Sequence, residues 1–358
     1  MRLLVVIVYF LQTTNCKQNT KCIFVPMKNL LYLLLLIFLS CSLDDNLILV
    51  KNSGSAQGSF YHIQYLSNDG VNYKFQMDSI FREIDSSLSI YKEYSIISKL
   101  NNGQNLKTDL LFNEVFLAAE KVYLESEGNF DCSVSPLVDA WGFYQDKLGD
   151  SIVIDSTKFY NLLPFIGFDK IKLIDDSLIL PKGMKLDFNA IAQGYTVDVI
   201  AQFLQAKGDS NYLIEVGGEL LVKGENADGN TWRVGVDKPS ENTDENERFQ
   251  FILDLKNKAL ATSGNYRKFY EKNGVKYSHT INPFTGFPAQ NRLLSVTVIH
   301  ENCMLADAYA TAFMVMGVKK SKQFVKSHPE IEIYLVYTNK NREWNTFISA
   351  DLQKRIVN

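Results

Sequence analysis

The chain contains 358 residues, of which 46% are hydrophobic, and it carries a formal net charge of −3. This composition is typical of a folded globular protein and excludes collagenous, low-complexity and wholly disordered chains. The near balance of 37 basic and 40 acidic residues also argues against a polycationic surface for nucleic acid. An anionic ligand must therefore be bound at a local site rather than by bulk charge.

The first forty residues have the pattern of a secretory leader. They contain four basic residues and no acidic one, and Leu30 to Leu39 is a nearly continuous apolar run, too short to span a bilayer securely. Met27 directly precedes Lys28 and this run, which indicates that translation starts at Met27. Without the leader the chain has 33 basic and 40 acidic residues, a net charge of −7.

Cys41 follows the small residue Ser40, as in a bacterial lipobox, although Phe38 stands where Leu is usual. We therefore expect residues 1–40 to be leader and Cys41 to carry a lipid. Residues 41–54 would then form a tether to a membrane of the bacterial cell envelope, facing the periplasm. A plain signal peptide or amino-terminal anchor with an incidental Cys is the alternative.

Residues 55–350 are expected to form the folded domain. Apolar residues recur at helical spacing in 77–88, 115–123 and 199–204. β-Branched and aromatic residues predict strands at Tyr212–Val216, Trp232–Val236, Phe249–Leu255, Leu294–Ile299 and Ile331–Tyr337. Because helices and strands mix without a βαβ repeat, we predict an α+β fold with mixed or antiparallel sheets flanked by helices. It would form one large domain or two lobes.

Several smaller features complete this outline. Gly208 is a plausible end for the third helix, and the acidic segment 237–247 is expected to be a solvated loop. Cys132 and Cys303 are far apart in sequence and are expected to be buried thiols. The common phosphate-loop motifs GxGxxG and GxxxxGK[ST] are absent from the sequence.

The segment Asp187 to Tyr195 stands at the start of the third predicted helix and contains a carboxylate, an amide and small residues. Free N–H groups at a helix start can bind a phosphate, and nearby carbonyl groups can bind a cation. Simple helix capping by Asp187 or Asn189 is an equally good interpretation at this point.

Two later segments also carry polar groups suited to chemistry. His279 lies shortly before the turn sequence Asn282 to Gly286, between a predicted strand and a turn, a position from which a side chain can point into a site. Asp307 and Thr311 are four residues apart, so on a helix their oxygens share one face. Such hard oxygens suit Mg²⁺, although an Asp and a Thr that only bond within their own helix would give the same spacing.

Taken in order, these segments resemble the ApbE family of flavin transferases from about Ser55 to about Ser349. The resemblance rests on Gly58 to Tyr61, Ser86 to Tyr91, Ser98 to Asn101, Phe130 and Asp131, Ser135 to Val138, Trp141 to Phe143, Asp187 to Tyr195, Val216 to Glu219, Ala261 to Gly264, Ser278 and His279, and Ala306 to Thr311. It implies an ApbE-like α+β fold and the activity of an FAD:protein FMN transferase. That activity attaches FMN from FAD to a Thr or Ser hydroxyl as a phosphoester and releases AMP.

The resemblance also implies ligands and partners. Mg²⁺ would be held by Asp307, Thr311 and the backbone carbonyl of Ala190. FAD would be contacted at Gln57, Tyr91, Asn129, Phe130, Asp131, Asp187, Gln193 and Ile281. The acceptor would be a membrane subunit of a sodium-pumping NADH:quinone oxidoreductase or an Rnf complex. From its place beside the metal cluster we hypothesise that His279 polarises or deprotonates the acceptor hydroxyl.

The sequence departs from the family pattern in three motifs. Gln57 and Gln193 replace a common Met and a common Lys, and the second change removes a positive charge near the phosphates. Asn282 stands where Asp is common, which suits a turn equally well. Two other functions remain open: a Mg²⁺-dependent FAD pyrophosphatase that yields FMN and AMP, and a non-catalytic FAD-binding lipoprotein.

Overall fold

The computed structural model describes residues 47–144, 156–238, 249–265, 269–272 and 275–357. The leader, Cys41 and most of the acidic segment 237–247 lie outside the described residues. The α-helices of the described part are α1 (Lys74–Leu88), α2 (Ile96–Asn101), α3 (Leu110–Glu125), α4 (Ser135–Ala140), α5 (Ser156–Tyr160), α6 (Ala192–Ala206), α7 (Cys303–Ser327) and α8 (Ala350–Gln353). Short 3₁₀ helices occur at Cys132–Val134, Leu163–Phe165 and Phe168–Lys170.

The strands of the described ranges form one large sheet and three small ones. They are β1 (Ile48–Ala56), β2 (Ser59–Ser67), β3 (Lys172–Ile174), β4 (Ser177–Ile179), β5 (Asn211–Val216), β6 (Glu219–Lys223), β7 (Trp232–Asp237), β8 (Phe249–Leu255), β9 (Lys258–Gly264), β10 (Phe269–Lys272), β11 (Val275–Ser278), β12 (Leu293–His300), β13 (Glu332–Thr338), β14 (Trp344–Ile348) and β15 (Ile356–Val357). The large sheet has the order β1-β2-β5-β6-β9-β12-β13-β14, and its neighbours pair antiparallel. The small sheets are β15-β8-β7, β10-β11 and β3-β4.

The large sheet is covered on both faces, and strand β13 shows how. Successive side chains of a strand point to opposite faces. Ile333 and Leu335 belong to a core cluster that includes residues of α3 and α7, whereas Tyr334 and Val336 belong to a cluster that includes the small sheet of β7 and β8. Helices therefore cover one face and a second sheet covers the other.

These elements confirm most of the predicted pattern. The five predicted strands match β5, β7, β8, β12 and β13 to within one residue at each end, and the three predicted helices fall within α1, α3 and α6. Helix α6 ends two residues before Gly208, whose φ is 92°. Cys132 and Cys303 are free and buried, as expected. The predicted α+β fold with helices flanking antiparallel sheets is thus confirmed.

Two features differ from the sequence-based expectation. Residues 48–54, which we expected in the tether, lie in edge strand β1, where the polar run Lys51 to Ser55 obscures the apolar alternation. Helix α7 has a kink at Gly317, whose φ and ψ are 71° and 175°. The Asn291 amide donates a hydrogen bond of 2.7 Å to the Met314 carbonyl near this kink. The first part of α7 therefore ends there, and the helix restarts beyond it.

Candidate functional site at the contact of two helices

The start of α6 lies against the first turns of α7, which brings two of the sequence clusters together. The backbone N–H of Gly194 donates to Oδ2 of Asp307 at 3.2 Å. One turn further along α7, the Thr311 hydroxyl lies 3.4 Å from the Ser263 hydroxyl of β9. Asp307 and Thr311 are both inside α7, so the predicted common helical face is confirmed, and the Thr311 hydroxyl reaches another element.

Gly194 makes this close approach possible. A Cβ atom at position 194 would lie 2.9 Å from the Asp307 Cβ and would also overlap the Cys303 carbonyl oxygen. Real Cβ atoms essentially never come so close, so a side chain at this point would push the helices apart. The sequence needs glycine here because two helix backbones nearly touch.

The Asp307 carboxylate is buried, and the group that favours its ionised form is a neutral N–H. Its residue is 6% exposed, and burial raises the pKa of its carboxyl to about 7, while the Gly194 N–H opposes the shift. Among the described residues it is this N–H, not a basic side chain, that favours the ionised form. A buried carboxylate without a basic partner is well suited to a divalent cation.

The remaining candidate metal donors are uncharged. Thr311 offers a hydroxyl, and Ala190, two residues before α6, offers a backbone carbonyl. Within the described ranges, no group of three or more His, Cys, Asp and Glu side chains could hold a metal ion. A cation at this contact would therefore depend on one carboxylate, on neutral oxygens and on groups brought by a ligand, which is the way proteins commonly bind Mg²⁺.

Asp187 lies in a second polar cluster just before α6. Its Oδ2 accepts a hydrogen bond of 2.7 Å from the Tyr144 hydroxyl, and its Oδ1 accepts one of 2.7 Å from the Asn189 N–H. Burial raises the pKa of this carboxyl. The N-cap of α6 is Ile191, with no side-chain cap, so the capping interpretation of Asp187 and Asn189 is wrong.

Tyr144 is a site residue that the sequence analysis missed. It directly follows Trp141-Gly142-Phe143, but its partner Asp187 is distant in sequence. The ring of Tyr144 meets that of Tyr91 edge-to-face with a centroid distance of 6.2 Å. Asn189 completes the cluster because its amide donates to the Tyr91 hydroxyl at 3.2 Å. Tyr91 itself is 61% exposed, so its ring offers an aromatic face to a ligand.

The segment from Asn129 to Asp131 is held inside the protein. The Asn129 amide donates to the Ser126 carbonyl at 2.7 Å, and Phe130 belongs to the core. Asp131 accepts from the backbone and hydroxyl of Ser133 at 2.7 and 2.6 Å, and from the Phe168 N–H at 3.3 Å. Both polar side chains therefore already have protein partners.

Gln57 occupies the tight turn between β1 and β2. Its φ is 52° and that of Gly58 is 71°, as a two-residue turn of this kind requires. The Gln57 amide exchanges hydrogen bonds of 2.8 and 3.1 Å with the Thr196 hydroxyl of α6. Residues 55–60 line a shallow, open depression of the surface at this turn.

Gln193 lies near the same turn. A Cβ atom at Gly217 would come within 2.7 Å of the Gln193 Cδ. The Gly217 N–H in turn donates to the Phe60 carbonyl at 2.9 Å. The amide of Gln193 thus packs closely against the loop after β5, and a side chain at residue 217 would overlap it.

His279 and Ile281 lie on the segment that follows β11. His279 is exposed, whereas Ile281 is buried with Leu137, Trp141 and Phe159. Asn282 accepts hydrogen bonds from the N–H groups of Phe284 and Thr285 at 2.9 and 3.2 Å, so the predicted turn is confirmed. The histidine therefore precedes a well-anchored turn.

Known proteins share both this sequence and this fold. The family model described as the ApbE family matches residues 57–335. The FAD:protein FMN transferase of Vibrio cholerae is 32% identical over 322 residues, 87% of this chain and 95% of that protein. The protein of the same name from Escherichia coli is 29% identical over 316 residues, 85% of this chain and 88% of that protein.

Solved structures agree with the sequence comparison. The flavin transferase ApbE from Vibrio cholerae has a TM-score of 0.77 and 30% identity, covering 86% of this chain and 99% of that chain. The apo form of the Pseudomonas stutzeri flavinyl transferase ApbE has a TM-score of 0.77 and 28% identity, covering 86% and 96%. The chain therefore belongs to the ApbE family.

Proposed function

We propose that this protein is a Mg²⁺-dependent FAD:protein FMN transferase that attaches FMN to a Thr or Ser hydroxyl of an acceptor protein. Family membership and the activity for which its relatives are named support the transfer of FMN. The observation that carries the proposal is the contact of the buried Asp307, which shares a helix face with Thr311, with the start of α6. A buried carboxylate beside a helix start supports a cation there that would bind the phosphates of FAD.

The reaction exchanges the phosphoanhydride bond of FAD for a phosphate ester bond to the acceptor. The acceptor oxygen attacks the phosphorus of the FMN half of FAD, the bond from that phosphorus to the bridging oxygen breaks, and AMP leaves with that oxygen. The hydroxyl proton passes to a base. Phosphoryl transfer of this kind depends mostly on positioning and on the neutralisation of charge. The protein therefore has to hold the pyrophosphate, the acceptor and one proton acceptor.

The donors at the α6–α7 contact fit Mg²⁺. The Asp307 carboxylate, the Thr311 hydroxyl and the Ala190 carbonyl are all hard oxygens, and the carboxylate is buried without a basic partner among the described residues. Mg²⁺ bound there would neutralise charge on the pyrophosphate. Asp307, Thr311 and Ala190 would then hold the phosphates at a fixed distance from both helices.

We assign the binding of FAD to the surfaces on either side of this contact. Tyr91 offers an exposed ring, and Asp187 lies beneath it in the Tyr144 cluster. The Gln57 turn borders a shallow, open depression of the surface. Gln193 contributes a neutral amide where a Lys is common, so a larger share of the pyrophosphate charge would fall to the metal.

His279 is the proposed proton acceptor. His279 lies directly after β11, on the segment that leads into the Asn282 turn. His279 is exposed, as a base for an incoming protein hydroxyl has to be. In the His279→Ala variant, near-normal turnover with intact FAD binding would contradict this role.

One assay tests the proposal and separates it from hydrolysis. The protein is incubated with FAD, Mg²⁺ and a domain of a candidate acceptor, here a subunit of a sodium-pumping NADH:quinone oxidoreductase or Rnf complex. Equal amounts of AMP and of acceptor with the mass of FMN added would support transfer. AMP without a mass change would indicate a pyrophosphatase, and neither product would indicate an FAD-binding protein.

The proposed location is the bacterial cell envelope, with the protein lipid-anchored through Cys41 and facing the periplasm. Support comes from the leader sequence alone, since Cys41 lies outside the described residues. None of the helices in the described part has the length and apolar character needed to cross a bilayer. Mass spectrometry of the mature amino terminus tests this proposal, and an unmodified Cys41 would contradict it.

A further inference from the structure

Helices α6 and α7 make two contacts, and these contacts are spaced one helical turn apart on each helix. Gly194 and Asp198 are four residues apart on α6, and Cys303 and Asp307 are four apart on α7. The Gly194 N–H donates to Asp307 at 3.2 Å, and the Cys303 N–H donates to Oδ1 of Asp198 at 3.0 Å. Residues four apart lie on one helix face. The two contacts therefore fix an antiparallel register between the helices.

The contact made by Asp198 has more hydrogen bonds than the contact made by Asp307. Its Oδ2 also accepts a hydrogen bond of 2.8 Å from the Met304 N–H, so one carboxylate holds two adjacent N–H groups at the start of α7. The residue is 6% exposed. Asn302, the N-cap of α7, accepts from the Leu305 N–H at 2.8 Å. The first turn of α7 is thus held by its own cap and by a side chain from α6.

The register that Asp198 fixes has a consequence for the proposed metal donors. Gly194 lies opposite Asp307 and Asp198 lies opposite Cys303. Thr311 lies one further turn along α7 from Asp307, and Ala190 lies two residues before the start of α6. A slip of α7 by one residue would move its side chains about 1.5 Å along the axis and about 100° around it. Such a slip would separate the donors, and Mg²⁺ demands nearly ideal geometry.

We propose that Asp198 is a positioning residue for the metal site, which sets Mg²⁺ affinity by holding α7 in register on α6. The inference rests on the proposed function, because it takes Asp307, Thr311 and Ala190 as the metal donors. Asp198 does not itself touch the metal in this account. It acts through the backbone of Cys303 and Met304, one helical turn before Asp307.

The test replaces Asp198 by Asn in the otherwise complete protein. Asn can accept one of the two N–H groups, but its own NH₂ then faces the other, so one contact is lost. Binding of Mn²⁺ is measured without FAD by electron paramagnetic resonance of the free ion. We expect a dissociation constant at least ~10-fold higher than that of the unchanged protein, as for other residues that orient metal ligands.

Asp209→Asn is the matched control. Asp209 is another buried acid, just beyond the end of α6, and its N–H bonds back to the Leu204 carbonyl. We expect this variant to bind Mn²⁺ normally. Activity adds a second measurement: in Asp198→Asn the Mg²⁺ concentration for half-maximal rate should rise about 10-fold, while the rate at saturating Mg²⁺ stays near normal. A general loss of structure would lower the rate at every Mg²⁺ concentration.

The outcomes separate the inference from the proposed function. Normal Mn²⁺ binding by folded Asp198→Asn would overturn the positioning role and leave the proposed function intact. Failure of the unchanged protein to bind Mn²⁺ would overturn both. If Asp198→Asn does not fold, Asp198→Glu replaces it: the longer side chain keeps the charge but displaces α7, so weaker Mn²⁺ binding supports the role and unchanged binding overturns it.

Discussion

Glu332 and Asp307 lie on opposite sides of the large sheet and are buried to the same extent, but their negative charges have different partners. Glu332 of β13 is 5% exposed and pairs with Arg355, whose Nε and Nη2 lie 2.8 and 3.0 Å from its two oxygens. Asp307 of α7 is 6% exposed and is held by the Gly194 N–H. Because burying a charge without a partner is costly, Arg355 compensates the charge of Glu332. In the proposed function, a bound divalent cation would supply the positive charge for Asp307.

The largest effect is expected from removing the charge of Asp307. We expect Asp307→Asn to lower FMN transfer by ~1000-fold, since a lost contribution of several kcal/mol to charge neutralisation corresponds to several powers of ten. The fold should persist because the variant buries no charge. Transfer is measured as FMN-labelled acceptor, with circular dichroism as the check on folding. Transfer within a few fold of normal would remove the contrast with Glu332.

The corresponding change at Glu332 tests the other side of the comparison. Glu332→Gln leaves Arg355 without its carboxylate, and we expect the free energy of unfolding to fall by about 2 kcal/mol, less than for a fully buried pair because Arg355 is partly exposed. The rate per folded molecule should be unchanged. Urea unfolding and the transfer assay check both expectations. A stable but inactive variant would show that the two acids are not functionally distinct.

Removal of the Tyr144 hydroxyl at the Asp187 cluster should have a moderate effect on FAD binding. Tyr144→Phe keeps the ring against Tyr91 but removes the hydrogen bond to Asp187. We expect FAD to bind ~5-fold more weakly, with little change in the rate at saturating FAD, because about 1 kcal/mol of orientation is lost. Flavin fluorescence measures the binding. Tyr160→Phe, an exposed Tyr outside this cluster, is the control, and equal effects of the two changes would contradict the assignment.

The smallest effect concerns the pH dependence of stability. Burial raises the pKa of Asp198 from 3.8 to about 6 in the folded protein, although the Met304 and Cys303 N–H groups lower it. The folded state therefore holds this proton more tightly than the unfolded state. The stability cost of the ionised side chain is fully present above about pH 6 and is lost as the pH falls towards about 4.

Asp198→Asn lacks this ionisation and serves as the comparison. As the pH falls from about 7 to about 5, the free energy of unfolding of the unchanged protein should rise relative to that of the variant. Urea unfolding at each pH measures the difference. A difference that stays constant with pH would contradict the buried, ionisable state of Asp198.

The sequence was informative wherever one element buried a regular apolar face. The stripe of α1 and the β-branched runs of β12 and β13 predicted those elements nearly to the residue. Strand β1 was missed because only Val50 and Asn52 of it are buried, and one of these is polar. An edge strand with so little burial carries almost no periodic signal.

The candidate site was only partly visible in the sequence for a related reason. Asp307 and Thr311 share a helix, so their spacing alone predicted a common face. Asp198 bonds to a residue 105 positions later, and Tyr144 to one 43 positions later. No local pattern distinguishes such residues from polar surface positions. Their roles follow only from the contact between α6 and α7 and from the folding of Tyr144 onto Asp187.

The central claim is that Asp307, Thr311 and Ala190 together hold a divalent cation. A crystal of the protein soaked in Mn²⁺ and measured for anomalous scattering by manganese tests it directly. We predict one strong peak within about 2.3 Å of the Asp307 carboxylate, the Thr311 hydroxyl and the Ala190 carbonyl. No peak at this contact, or a peak held by other residues, would contradict the account.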